Sequence, residues 1–295
     1  MGLPKGLQFF LLALLAMPMV GTQAQTAVTA EHWVDSCADW DAWDKPGPPF
    51  RVLGNTYYVG TCGIAAILIT GDAGHVLIDS GTDRGAVIVR DNIARLGFSL
   101  SDVKILLHSH EHIDHVGGMA SLQSLSGATL YASPAAAAVM RNGTAGEDDP
   151  QAGALASFPV ARVGGLVNDG DQIALGNLRL TAYATPGHTP GALSWQWRAC
   201  EEDRCTTLVY ADSLSPVSAE GYRFNAHPEY LQAYRLGLAT LADLECDLLL
   251  TPHPSASQMR QRLSERQSLA VPDACRQYAT GISARLAQRL ASEAD

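Results

Sequence analysis

Leu106-Leu107-His108-Ser109-His110-Glu111-His112-Ile113-Asp114-His115-Val116-Gly117-Gly118 is the stretch from which the rest of the chain is read. Within it, residues 110–115 place four metal-binding side chains, His110, His112, Asp114 and His115, in six positions. They follow Val103–Leu107, an apolar run that the pattern predicts as a buried strand. Imidazole and carboxylate suit zinc. His110 and His112 are two apart, so an extended loop puts them on one face. Asp114 and His115 then turn toward a second position. One zinc cannot comfortably take all four from so short a segment, whereas two metals about 3.5–4 Å apart can. A polar loop that binds nothing is the weaker reading, because the hexapeptide is rare by chance.

Further along the chain, Thr185-Pro186-Gly187-His188-Thr189-Pro190-Gly191 sets His188 in a turn between two expected strands, and Thr251-Pro252-His253-Pro254 sets His253 directly after another. Loops at strand ends collect ligands. Apolar runs predict strands at 56–59, 65–70, 75–78, 103–107, 129–132, 161–167, 171–174, 178–184, 192–197, 206–210 and 246–250, with helices at 84–96, 117–125, 134–140, 228–244, 257–265 and 272–290. Residues 25–50, with Trp33, Trp40, Trp43 and a Pro/Gly stretch, read as an irregular arm, and 142–160 as a polar loop. Strands and helices alternate in two successive sets. The expectation is an α/β fold with two sheets face to face and helices outside, a four-layer αβ/βα sandwich in one domain.

The 295 residues are 47% hydrophobic and carry a net charge of −10, enough apolar material for a sizeable core and a charge that disfavours nucleic-acid partners. Lys5 followed by the apolar run Leu7–Val20 and small residues to Ala24 reads as a secretory signal peptide, 1–24, ahead of a domain spanning 25–295. The run is short for a membrane span, so the expected product is a periplasmic monomer with no membrane segment after signal removal. Six cysteines, Cys37, Cys62, Cys200, Cys205, Cys246 and Cys275, suggest disulfides in an exported chain. Spacing alone leaves the pairing open. Cys200 and Cys205 flank a charged turn that a bridge could close.

LLHSHEHIDHVGG, TPGHTPG, YADSLS and TPHP together resemble the metallo-β-lactamase superfamily, and the last two, beside an intact HxHxDH, resemble its third β-lactamase subclass. The resemblance runs from about Asn55 to the C-terminal helix. It implies a first zinc on His110, His112 and His188 and a second on Asp114, His115 and His253. It implies that Ser213 stands where other subclasses use a metal-binding cysteine, and that Ser213 and Ser215 hold the substrate carboxylate, with Ser215 replacing the commoner threonine. It also implies the pairs Cys37–Cys62, Cys200–Cys205 and Cys246–Cys275.

The expected reaction is hydrolysis of the β-lactam amide of penicillins, cephalosporins and carbapenems. Two zincs sharing a water lower its pKa to about 7, the resulting hydroxide attacks the carbonyl, and Asp114 orients it; no serine nucleophile is invoked. An exported thioesterase of the hydroxyacylglutathione type, or a lactonase, is the alternative, and it would need Asp212 to bridge the metals. A non-catalytic zinc protein would need a closed site. Asp79 is expected to hydrogen-bond the metal loop, His108 to be packed rather than ligating, and His32, His75 and His227 to lie at the surface. Gln151 reads as a solvated loop residue, and the tryptophans either wall the site or pack the arm.

Overall fold

A computed structural model describes residues 1–2 and 28–294; the leader expected at 1–24 falls, beyond its first two residues, outside them. A first sheet of seven strands runs in chain order: β1 (Phe50–Leu53), β2 (Thr56–Tyr58), β3 (Ile67–Gly71), β4 (Gly74–Ile78), β5 (Val103–Leu107), β6 (Thr129–Ala132) and β7 (Val163–Leu166). A second sheet of five strands holds β8 (Gln172–Leu175), β9 (Leu178–Ala184), β10 (Leu193–Glu201), β11 (Arg204–Tyr210) and β12 (Leu248–Leu250). Helices α1 (Ala30–Ser36), α2 (Asp83–Arg95), α3 (Ile113–Val116), α4 (Met119–Ser126) and α5 (Pro134–Asn142) accompany the first sheet, and α6 (Pro228–Asp243), α7 (Met259–Ser264) and α8 (Ala274–Ser292) the second.

Strand alternation builds the four layers. In β4, Val76 and Ile78 enter the core between the sheets, while Leu77 faces a second core with Ala86, Val89 and Ile93 of α2. In β11, Leu208 and Tyr210 join the central core, and Val209 packs with Leu238 of α6 and Ile282 of α8. Side chains two apart share a face, so each inner strand feeds two layers at once. Trp195 and Trp197 fill the centre, each indole N–H satisfied: Trp195 donates to the His108 carbonyl at 2.8 Å and Trp197 to Thr56 Oγ1 at 3.0 Å.

Two features of the arm correct the sequence reading. Residues 30–36 form α1 rather than irregular chain, and β1 adds an edge strand. The helix has seven residues and buries only Trp33, against Phe50 and Tyr58, so it carries no repeating apolar stripe to announce it. Disulfides join Cys37–Cys62, Cys200–Cys205 and Cys246–Cys275, and no cysteine is free. Among the described residues no helix is long and apolar enough to cross a membrane.

Candidate metal centre

The chemistry-bearing loops each leave the C-terminal end of a strand: Asp79 after β4, His110–His115 after β5, 185–191 after β9, 211–215 after β11 and 251–253 after β12. β4 and β5 are parallel, as are β11 and β12, and two successive antiparallel pairings make β9 point the same way as β11. These loops therefore gather at one edge of the sandwich. Backbone bonds clasp the sheets there: Leu193 N donates to the Ser109 carbonyl at 2.7 Å, and Ala65 N to the Pro252 carbonyl at 2.8 Å.

Residues 113–116 coil into the single turn of α3, with His112 extended just before it. That turn is what swings Asp114 and His115 away from the pair His110 and His112. One ligand atom each from His110, His112 and His188 lie within 4.8 Å of one another, and so do atoms of His110, Asp114 and His115. His253 completes the cluster, its Nε2 3.5 Å from Asp114 Oδ2 and its ring 5.1 Å from that of His115. All six residues singled out as ligands thus meet at one place. His110 Nε2 is buried and lacks a hydrogen-bond partner. Such orphaned nitrogens are rare in native folds, and this one points among imidazoles and a carboxylate, so the donor set fits a zinc ion.

The electrostatics suit ligation. Burial and neighbouring imidazoles hold His110 well below its usual range, His188 down to about 3 and His253 down to about 4, so these rings are neutral with a lone pair to offer. At His115 burial pulls the other way from the adjacent Asp114 and Asp79 carboxylates, which win and raise it to about 10; Asp114 is correspondingly lowered. A cation is favoured at that position, whether a proton or a metal.

The second ring nitrogen of each of four histidines faces an oxygen of the protein, in hydrogen-bond geometry at His112 and His188 and as a close contact with a carboxylate at His110 and His115. His110 Nδ1 lies 2.8 Å from Asp212 Oδ1, His112 Nε2 3.0 Å from Asp149 Oδ2, His188 Nδ1 3.0 Å from Ser215 Oγ, and His115 Nδ1 3.4 Å from Asp79 Oδ2. Such partners fix ring orientation and tautomer. Asp79 is a hub: its carboxylate accepts from Ser109 N, Ser109 Oγ and Tyr210 OH, each at 2.7 Å, from a backbone at φ +64°. Glu111 is a second hub. Its carboxylate accepts from Thr189 Oγ1 and Gly191 N, both at 2.7 Å, and burial raises it to about 7. This carboxylate ties the histidine loop to the turn carrying His188. Residue 191 must be glycine, since a Cβ there would sit 2.5 Å from Ala136 N.

His112, Asp114, His188 and His253 floor a cavity of about 250 Å³, while His110 and His115 are fully buried beside them. Ser213 and Ser215 stand in its wall beside Trp40, Trp43, Gln151 and Arg285. Gln151 is therefore not a free loop residue; its Nε2 is 3.4 Å from His188 Nε2. The tryptophans divide: Trp33 packs the core, and Trp40 lies 6.0 Å from the His253 ring. His108 is buried and accepts from Ser133 N at 3.2 Å, the packed role expected of it. His75 is half-buried edge-on to Phe98 rather than at the surface, whereas His32 and His227 are exposed. Asp212 contacts His110 from behind, on the nitrogen remote from the cluster, and is not among the converging ligand groups. The spacing Ser-x-x-Lys of serine-type lactamases occurs at Ser101–Lys104, but these residues are exposed at the far end of β5, with Lys104 Nζ on the Ser101 carbonyl at 2.7 Å. Sequence reasoning missed Glu111, Asp149, Tyr278 and Arg285. The acid inside the hexapeptide was the one available signal for Glu111.

Comparison with known proteins places this geometry. The model of the metallo-beta-lactamase superfamily matches residues 59–202. A probable metallo-hydrolase of Burkholderia pseudomallei is 31% identical over 169 residues, 52% of this chain and 55% of that one, so the match spans about half of that curated relative. The solved structure of the MIM-2 metallo-beta-lactamase is 98% identical with a TM-score of 0.88, over 90% of this chain and 99% of that one. MIM-1 from Novosphingobium pentaromativorans is 46% identical with a TM-score of 0.87, over 89% and 98% of the two chains. MEM-A1, a subclass B3 enzyme from a soil metagenome library, is 44% identical with a TM-score of 0.82, over 86% and 99%.

Proposed function

This chain belongs to the metallo-β-lactamase superfamily, and on that premise we propose that it hydrolyses the amide bond of β-lactam antibiotics, penicillins, cephalosporins and carbapenems, with zinc and so confers resistance to them. The observation that carries this reading is the meeting of His110, His112, His188, Asp114, His115 and His253 in one cluster, of which His112, Asp114, His188 and His253 line an open cavity. An open cavity over the ligands distinguishes a catalytic from a closed structural site. The subclass B3 relatives support the substrate class.

We assign His110, His112 and His188 to one zinc and Asp114, His115 and His253 to another, two per chain. When bound, the ions supply a water activated toward attack and an electrophile for the carbonyl oxygen and the departing nitrogen. The protein does the rest. Asp114, held ionised, accepts a hydrogen bond from the attacking water and so aims it. Ser215 accepts from His188 Nδ1 and can donate onward, and Ser213 faces the cavity with its carbonyl pinned by Tyr278 OH at 2.7 Å. Both hydroxyls are placed for the substrate carboxylate. Trp40 and Trp43 line one side of the cavity with apolar surface.

Asp212 argues against the thioesterase or lactonase alternative, which would need its carboxylate between the metals rather than behind His110. We also propose export to the periplasm as a monomer; three disulfides fit an oxidising compartment. The test is loss of β-lactam absorbance with the zinc-loaded protein, run beside a thioester and a lactone. Rapid turnover of either with no β-lactam hydrolysis would overturn the reading.

A further inference from the structure

Glu147, Asp148 and Asp149 are three consecutive acids in the polar loop 142–160, and only the last turns inward: Asp149 is 1% exposed, whereas its two neighbours are exposed. Its Oδ2 lies 3.0 Å from His112 Nε2, and its Oδ1 accepts from Gln151 N at 2.7 Å. The loop is anchored at few other points around this residue. Asp149 N donates to the Gly146 carbonyl at 3.2 Å, Ala152 N to the Asp149 carbonyl at 2.9 Å, and Ala219 N to the Pro150 carbonyl at 2.8 Å. The partners of His110 and His115 differ in kind, because Asp212 and Asp79 sit at the ends of strands β11 and β4.

We propose that Asp149 is a positioning residue that locks the ring of His112 for metal, so that the loop over the cavity and the metal beneath it stabilise one another. The inference rests on the reading of His112 as a zinc ligand. A carboxylate on one imidazole nitrogen fixes the tautomer that leaves the other nitrogen's lone pair for the ion, and raises its basicity. Here that carboxylate belongs to a surface loop and not to the strand scaffold. Loop position and metal affinity are then linked, and linkage is reciprocal: whatever the closed loop adds to zinc affinity, zinc adds to loop closure. The same segment carries Gln151 to within 3.4 Å of His188 Nε2, so two of the three residues of the first metal group are touched from this loop.

The experiment uses the full folded protein and zinc alone, with no substrate. Zinc affinity is measured by competition with a chromophoric chelator for the parent, Asp149→Asn and Asp149→Ala, and amide hydrogen exchange over residues 144–156 is followed with and without zinc. In the parent, zinc should slow exchange in this loop. Asp149→Ala should weaken the tighter zinc step by about 10–100-fold and abolish zinc-dependent protection of the loop. Asp149→Asn, whose amide oxygen can still accept from His112, should lie between them. Far-UV circular dichroism identifies any variant that fails to fold, in which case the asparagine variant and the parent exchange data decide. Parent-like zinc affinity in both variants, or loop exchange indifferent to zinc in the parent, would overturn the proposal. A parent that binds no zinc at all would instead overturn the metal reading beneath it.

Discussion

Replacing Asp79 by asparagine isolates the contribution of one charge to the site. The backbone there is left-handed at φ +64°, a conformation asparagine tolerates nearly as well as aspartate, so the substitution adds little strain. Three donors at 2.7 Å converge on the carboxylate: Ser109 N, Ser109 Oγ and Tyr210 OH. The amide oxygen can keep Ser109 N, and the two hydroxyls can rotate to accept from the new NH₂. What is lost is charge. A hydrogen bond to a charged group contributes about 1.5–3 kcal/mol and a neutral one about 0.5–1.5, so three weakened bonds cost about 3 kcal/mol. That is a large fraction of a domain's net stability. Asp79→Ala should cost more, about 5 kcal/mol, because it strands the buried Ser109 N–H and places a residue that resists φ > 0. His115 also loses its orienting partner, which should weaken the second zinc by about 10–100-fold. Urea unfolding and chelator competition read the two effects separately. An asparagine variant within about 0.5 kcal/mol of the parent, with unchanged zinc binding, would refute the view of Asp79 as a charged hub.

Protein purified without chelator should hold about two zinc ions per chain, and chelation should abolish hydrolysis until zinc is restored; a firm value of one, unmoved by added zinc, would refute the dinuclear assignment. Thiol titration of denatured, unreduced protein should find no reactive thiol, since all six cysteines are paired. Ser213→Ala should raise KM by the loss of one hydrogen bond to a charged group, about 1.5–3 kcal/mol at most, with two zincs retained; a fall to one would show that Ser213 supports metal. Glu293→Gln should destabilise at neutral pH and less in acid. Burial raises the Glu293 carboxyl, but N–H groups of Asn225 and Phe224 and the Arg289 guanidinium outweigh it and hold it below the usual range. A lowered carboxyl gives stability that is present above the unfolded pKa, about 4.3, and is lost as pH falls through the folded one. The gap between parent and variant in urea midpoint should therefore shrink below about pH 4; a gap independent of pH would contradict this.

The fold and the ligand histidines were legible because each leaves a local signature. Strands such as 103–107 are short apolar runs, and His110, His112, Asp114 and His115 crowd into one hexapeptide. His188 and His253 stood out by their Pro/Gly turns at strand ends. What could not be read depends on distant contacts. Asp149 is one acid among three until the fold turns it toward His112, and Gln151 is a polar loop residue until that loop is laid over His188. Asp212 could be weighed only as a candidate bridge; its contact with His110 arises across 102 positions of chain. α1 escaped because one buried tryptophan makes no period.

The disulfides all tie near neighbours, at separations of 25, 5 and 29 residues. Cys37–Cys62 lies in the half that builds the first sheet, and the other two lie in the half that builds the second. None crosses from one half to the other. The ligand cluster does, since His110, His112, Asp114 and His115 come from the first half and His188 and His253 from the second. Zinc would thus act as a removable rivet across the chain's midline, added to the core and backbone bonds that join the two sheets. Reductant would loosen each half by itself, while a chelator would remove a link between halves that the shared core and backbone bonds still hold together, so the two treatments should act on different parts of the molecule.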